Sequence, residues 1–158
     1  MTAGSSLQAA DISRLETHHN ALLRLCLQLE EAGEDVATGA AAAFDYQALA
    51  KEIPALLSEA HWLEETILFP AFDHHGGSGF ATVVIERLKA EHRCDRLAVE
   101  ELAETLQAVT EGRCLLAADT VAYMICGFLE SLRRHILSED LMLEALLAAE
   151  SEKRKVFG

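Results

Sequence analysis

The sequence contains few of the residues that interrupt helices and few of those that favour sheets. Its 158 residues include two prolines, nine glycines and only 6% aromatic residues. Alanine, leucine and glutamate, which favour helices, are abundant instead. An all-α protein is therefore predicted, and a chain of this length usually forms one domain, here residues 1–158.

The sequence also lacks a membrane-spanning run, a signal-peptide pattern and an excess of positive charge. No apolar stretch reaches the ~20 residues needed to cross a bilayer. The 13 basic residues are outnumbered by 26 acidic ones, so the net charge is −13, and both nucleic acid and anionic membranes are repelled. We therefore expect a cytoplasmic protein, a monomer or weak homodimer, that binds neither nucleic acid nor membrane.

The cysteines lack the close spacing of a thiolate metal site. Cys26, Cys94, Cys114 and Cys126 form no C-x-x-C pair, and each lies within or beside an apolar helical pattern. Such thiols are typically reduced and buried in cytosolic proteins. The sequence therefore predicts four core thiols and no disulfide.

Apolar residues repeat at steps of three and four along four segments, which predicts four helices. Their predicted bounds are about 7–33, 45–73, 80–110 and 114–150. The region 33–43 is predicted to be a loop, and Pro54 is predicted to kink or split the second helix. Because short connections favour antiparallel neighbours, we expect an up-down-up-down four-helix bundle over about 7–150, with a frayed basic tail at 151–158.

Histidine and glutamate recur at nearly the same spacing in the two halves of the chain. His61 precedes Glu64 and Glu65, and His135, 74 residues further on, precedes Glu139. Residues three or four positions apart lie on one face of a helix, so each histidine and the glutamate that follows it can contact the same metal ion. A buried carboxylate is costly unless it is paired or bound to a metal. The repeat therefore favours a metal site in the core over a purely structural polar network.

A further histidine precedes each of these units. His92 stands 43 residues before His135, while His18 and His19 stand 43 and 42 residues before His61. Four helices can thereby bring four imidazoles and two carboxylates to one point, a ligand set that suits two iron ions, with zinc the less favoured metal. The candidate ligands are His18, His19, His61, Glu64, Glu65, His92, His135 and Glu139.

Two segments beside these histidines are Glu64-Glu65-x-Ile67-Leu68-Phe69-Pro70 and Leu88-x-x-Glu91-His92. They resemble sequences of the hemerythrin-like (HHE cation-binding) domains, and the resemblance covers about residues 10–147. It implies a four-helix bundle that holds two non-haem iron ions, with an oxo or hydroxo bridge, and it assigns ligand roles to His92, His135 and Glu139. The neighbours of His19 match those of His92 better than the neighbours of His18 do, and both His18 and His19 stay candidates.

The first histidine–glutamate unit departs from this resemblance by one residue. Counted back from the Phe-Pro pair, the ligand is expected at Ala60, and His61 is rotated from that direction by about 100°. His61 either pairs with Glu64 at i, i+3, or pairs with Glu65 at i, i+4 through a locally adjusted helix, or is lost as a ligand. The apolar register predicts that a histidine at position 60 would tighten the site.

The resemblance implies a protein that binds O2, peroxide or NO at iron and serves in redox or nitrosative stress response, in sensing or in iron handling. The oxygen-carrying branch of the family uses more histidines than this chain offers, so reversible oxygen transport is not expected. Peroxide or NO chemistry as an enzyme and gas sensing both stay open. The alternative is a bundle whose degenerate, mononuclear or zinc-occupied site serves structure or interaction.

Overall fold

The computed structural model describes residues 7–39 and 44–158 of the chain. They form four antiparallel helical rods, which confirms the predicted all-α four-helix bundle. The rods are α1 (Ala9–Thr38); α2 (Tyr46–Leu63), continued through a π turn (Glu64–Leu68) into α3 (Phe69–Gly76); α4 (Gly79–Thr110); and α5 (Ala118–Ser151). Helix α5 begins later than the predicted residue 114. Within the two described ranges there is no strand, and no helix is long and apolar enough to cross a membrane.

Helix α1 extends beyond its predicted end at residue 33. Gly33 does not interrupt the helix but lies against α5, where a β-carbon would stand 3.5 Å from Ile125 Cγ2. The helix ends at Gly39, whose φ of 63° is left-handed and whose N–H donates to the Val36 carbonyl. The predicted loop is therefore wrong for residues 33–38, and residues 40–43 of that loop lie outside the described residues.

Of the two outcomes predicted for Pro54, a kink or a split, the split is not found, because α2 continues through it. The irregularity lies further along, in the π turn immediately before Pro70. A proline ring in a helix clashes with the carbonyl four residues earlier, here that of Thr66. The wider π turn, in which the Phe69 N–H donates to the Glu64 carbonyl, accommodates this clash.

The core consists of two apolar clusters with a polar layer between them. The first cluster includes Leu22 and Leu29, and the second includes Leu15 and Phe69. His19 stands between Leu15 and Leu22 along α1, so the polar layer separates the two clusters. Each fully buried leucine or phenylalanine contributes about 1.5–3 kcal/mol, which offsets the cost of burying polar side chains in the layer.

All four cysteines are free, as predicted, but only Cys26 is buried. Cys94 and Cys126 are exposed and Cys114 is half-buried, so the prediction of four core thiols is wrong at three positions. An apolar pattern does not distinguish a cysteine in the centre of a helical stripe from one beside its edge.

The C-terminal tail is not frayed, contrary to prediction, but folds back on the end of α3. The N–H groups of Val156 and Phe157 donate to the carbonyls of His75 at 2.9 Å and Gly76 at 2.8 Å. The Phe157 ring meets the Phe72 ring edge-on, with 5.8 Å between centroids. These contacts tie the tail to the second rod.

The folded tail makes Gly77 sensitive to substitution. Its φ is 81°, and a β-carbon there would lie 2.5 Å from Lys155 Cβ and 2.8 Å from the Phe157 carbonyl oxygen. We expect Gly77→Ala to lower the free energy of unfolding by about 2–3 kcal/mol in urea denaturation. Gly39→Ala is the matched control, since its φ is also positive but no atom of the described residues lies within 4 Å, and a loss of about 1 kcal/mol is expected. Equal losses of unfolding free energy in the two variants would show that contacts with the tail do not add to the cost of a β-carbon at position 77.

Candidate metal centre

The polar layer gathers one histidine from each rod together with two glutamates. Each of these side chains is at most 4% exposed, and they are His19, His61, Glu64, His92, His135 and Glu139. We call this set the His/Glu cluster. Its members converge because each lies on the inward face of its rod.

Both carboxylates reach from His19, at one end of the cluster, to His92 and His135 at the other end. Glu64 Oε1 lies 3.3 Å from Nε2 of His19. Glu64 Oε2 lies 3.2 Å from Nε2 of His92 and 3.4 Å from Nε2 of His135. Glu139 repeats this pattern, with Oε2 3.7 Å from His19 and Oε1 3.2 and 3.3 Å from His92 and His135. Each carboxylate therefore offers one oxygen to each end, as a bridging ligand would.

The potential ligand atoms form two sets, and within each set all the atoms lie within 4.8 Å of one another. One set consists of His61, Glu64, His92 and His135, and the other of His19, Glu64 and Glu139. Glu64 belongs to both sets. The cluster thus offers two adjoining metal positions, one rich in imidazole and one rich in carboxylate.

The two buried carboxylates have opposite pKa shifts. Burial raises the pKa of Glu139 well above its usual range, and the neighbouring Glu64 raises it further. Burial alone would also raise the pKa of Glu64, but hydrogen bonds from Glu139 and the surrounding imidazoles hold it well below its usual range. Without a cation the pair shares a proton, and a bound metal would supply the compensating positive charge in its place.

His61 has no hydrogen-bond partner among the described residues on either ring nitrogen, although it is only 2% exposed. Its ring stacks on that of His92, with 3.8 Å between centroids. Burial, followed by the charge of His92, lowers the pKa of His61 to about 3, so the imidazole is neutral at physiological pH. Unpartnered buried nitrogens are costly, and neutral imidazole is the form that binds metals.

His61 and Glu64 enter the cluster together at i, i+3, which is the first of the three arrangements that the sequence left open. Ala60, where the resemblance placed a ligand, is also buried but packs with Leu57 in the first apolar cluster. The inward face of α2 is therefore wide enough for both residues. Glu65, a candidate ligand, lies in neither ligand set.

Two carboxylates outside the cluster accept hydrogen bonds from the Nδ1 atoms of two imidazoles, on the side of each ring that faces away from the cluster. Nδ1 of His92 donates to Glu65 Oε1 at 2.7 Å, and Nδ1 of His19 donates to Asp140. In a metal-bound cluster each of these rings would keep its proton on Nδ1, and the lone pair of Nε2 would face the metal. The sequence predicted Glu65 as a ligand rather than as a support, and Asp140 was not among the predicted residues.

The neighbouring histidine of α1 lies outside the cluster. His18 is half-buried, and its Nε2 lies 3.4 Å from Oε1 of Glu59. The structure therefore brings His19 into the cluster and leaves His18 beside it.

The donor set of the cluster suits a pair of transition-metal ions. Imidazole nitrogens combined with carboxylate oxygens favour iron or zinc, whereas magnesium and calcium prefer oxygen ligands alone. Among the described residues, the ring nitrogens of His61 and Oε2 of Glu139 are buried without partners, and metal ions in the cluster would bind one of these nitrogens and the carboxylate oxygen.

A four-helix bundle with a buried His/Glu cluster between two apolar clusters defines a cation-binding helical protein. The family model of the hemerythrin HHE cation binding domain matches residues 10–147, nearly the whole chain. The chain therefore belongs to the hemerythrin HHE cation-binding family, and the resemblance seen in the sequence is confirmed. Comparison with curated proteins and with solved structures gave no significant match.

Proposed function

We propose that the His/Glu cluster holds two non-haem iron ions and binds O2, peroxide or NO in redox or nitrosative stress response, in sensing or in iron handling. The observation that carries this proposal is the span of Glu64 and Glu139, each of which offers one oxygen to His19 and the other to His92 and His135. Carboxylate bridges combined with imidazole ligands support both ferrous and ferric iron.

The two ends of the cluster differ in their number of protein donors. The His19 end has one imidazole and one oxygen from each glutamate, whereas the other end has three imidazoles besides the carboxylates. Fewer protein donors leave more positions free, so we propose that the exogenous ligand binds at the His19 end. The iron pair, when bound, supplies electron transfer to or from that ligand.

The residues around the cluster hold and shield it. Glu65 and Asp140 keep Nε2 of His92 and His19 directed inward through their bonds to Nδ1. The apolar clusters on both sides exclude water, which strengthens charge interactions within the layer. We propose a cytoplasmic location, which the four free cysteines support.

Metal content tests the proposal directly. Protein reconstituted anaerobically with ferrous iron is expected to bind about two ions per chain, counted by elemental analysis, because each carboxylate reaches both ends of the cluster and would bridge a metal pair. Oxidation should then produce near-ultraviolet charge-transfer bands. A content of one ion would contradict the paired site, and no binding would indicate a degenerate bundle. Zinc retained in preference to iron after native expression would favour a structural site.

A further inference from the structure

A polar cleft between α4 and α5 opens at the surface and ends at one member of the His/Glu cluster. Its volume is about 550 Å³. The exposed residues Cys94 and Arg134 line its outer part, while the buried residues Asp95 and His135 line its inner part. His135 is the cluster member that borders this cleft.

Within residues 7–39 and 44–158, one buried nitrogen beside the cleft has no partner. His135 is only 3% exposed, yet its Nδ1 lies 3.9 Å from Oδ2 of Asp95, too far for a hydrogen bond. The corresponding nitrogens of His19 and His92 bond directly to carboxylates. Asp95 is itself held by Ser131, whose hydroxyl donates to Oδ1 at 3.3 Å. Because both residues line the cleft, a small polar molecule lying beside this pair can hydrogen-bond to the carboxylate and to the ring.

The lining of the cleft favours molecules that form hydrogen bonds. Glu91, Ser131 and Arg134 add acceptors and donors to those of Asp95. The adjoining cavity, of about 490 Å³, is lined mainly by apolar side chains such as Phe80 and includes no member of the cluster. A hydrogen-bonding molecule exchanges its water contacts for this polar lining at low cost, whereas O2 or NO gains nothing from it.

We propose that the α4/α5 cleft is the docking site and point of entry for hydrogen peroxide, which binds beside Asp95 and reaches the cluster past the His135 ring. This inference rests on the proposed function and narrows its ligand from three candidates to one. Because a single carboxylate spans the cluster, a molecule that passes His135 comes close to both ends. Asp140 closes the corresponding approach behind His19.

Ala90→Phe tests the route, since Ala90 lines the cleft and a phenyl ring there would obstruct it. In the iron-free protein, diethyl pyrocarbonate should modify His135 about tenfold more slowly than in the parent, measured by mass spectrometry, with exposed His74 as the internal reference. In the iron-loaded protein, the rate constant for reaction with hydrogen peroxide should fall about tenfold in stopped-flow spectroscopy, while that for NO changes less than about twofold. Ala98→Phe places the same ring on an exposed site of α4 and should change neither rate.

Each other outcome contradicts a defined part of the proposal. If Ala90→Phe leaves both rates at their Ala98→Phe values, the cleft is not the route, and if NO slows as much as peroxide, the route does not select peroxide. Failure of the parent to bind iron would contradict the proposed function, while modification of His135 would still report on the cleft. Should Ala90→Phe not fold, a benzylthio group on Cys94 of the folded parent fills the same cleft, with Cys94→Ser treated identically as its control.

Discussion

The Glu64→Gln variant is expected to lose both metal ions where the parent binds about two. Glu64 belongs to both sets of potential ligand atoms, so its anionic oxygens serve both positions. Glutamine keeps the shape of the side chain but offers a neutral amide that cannot bridge two cations as a carboxylate does. Elemental analysis after reconstitution and gel filtration measures the loss.

Thermal unfolding provides a second measure of the same loss. A metal present at about 1,000 times its dissociation constant adds about 4 kcal/mol to the free energy of unfolding. In a domain of this size that corresponds to a rise of roughly 8–16 °C in the parent's midpoint temperature. The midpoint of Glu64→Gln should not depend on metal.

Two controls separate a lost bridge from a general change of charge. Glu65→Gln makes the same substitution one residue further on, where the carboxylate bonds to Nδ1 of His92 and lies in neither set of potential ligand atoms. It should keep the parent's metal stoichiometry but weaken affinity about 10–100-fold. His74→Ala, at an exposed site outside the cluster, should change neither. Metal lost from Glu65→Gln but retained by Glu64→Gln would reverse the roles assigned to the two glutamates.

The helical periodicity was sufficient to predict the bundle but not the ends of its rods. Because glycine is unfavourable within helices, the sequence predicts that the first helix ends at Gly33. In the structure it allows α1 to approach α5 closely, with Ile125 opposite. The tail is a similar case, because Phe157 is ordered by contacts with distant aromatic rings. Contacts between distant elements override local preferences at both places.

The internal repeat relates two carboxylates outside the cluster as well as the two glutamates inside it. An offset of 75 residues pairs Glu64 with Glu139 and, by the same count, Glu65 with Asp140. In the structure, Glu65 and Asp140 each support the histidine of another rod from behind. The equivalence of these two carboxylates was therefore available from the sequence, and it could have identified Asp140 as a supporting residue.

Periodicity could not decide between neighbouring residues on one face. Adjacent residues of a helix differ in direction by about 100°, and the inward face of a bundled helix is at least about that wide. His18 and His19 therefore both fit the pattern of α1, and so do Ala60 and His61 on α2. The choice at α1 coincides with a tertiary contact, since Glu59 lies beside His18. Such contacts are not visible in the period of a single helix.

Moving the histidine from position 61 to position 60 tests how the site is built. The apolar register predicts that Ala60→His combined with His61→Ala tightens metal binding, whereas the structure leads us to expect the reverse. Ala60 is 1% exposed and packs with Leu57 and Leu132, so an imidazole there would overfill the apolar cluster and bury a ring without a partner. We expect the free energy of unfolding to fall by about 2–4 kcal/mol and the iron content to fall below that of the parent.

The single variants separate the loss of unfolding free energy from the loss of iron content. His61→Ala should lower affinity at the three-imidazole end while the bundle stays folded, because it removes one ligand and two unpartnered nitrogens. Ala60→His should destabilise the bundle while His61 still reaches the cluster. If the double variant instead matches the parent in stability and iron content, α2 must be able to turn by one residue without disturbing α3. The π turn at Glu64–Leu68 joins those two helices, so it would be the element that absorbs such a rotation.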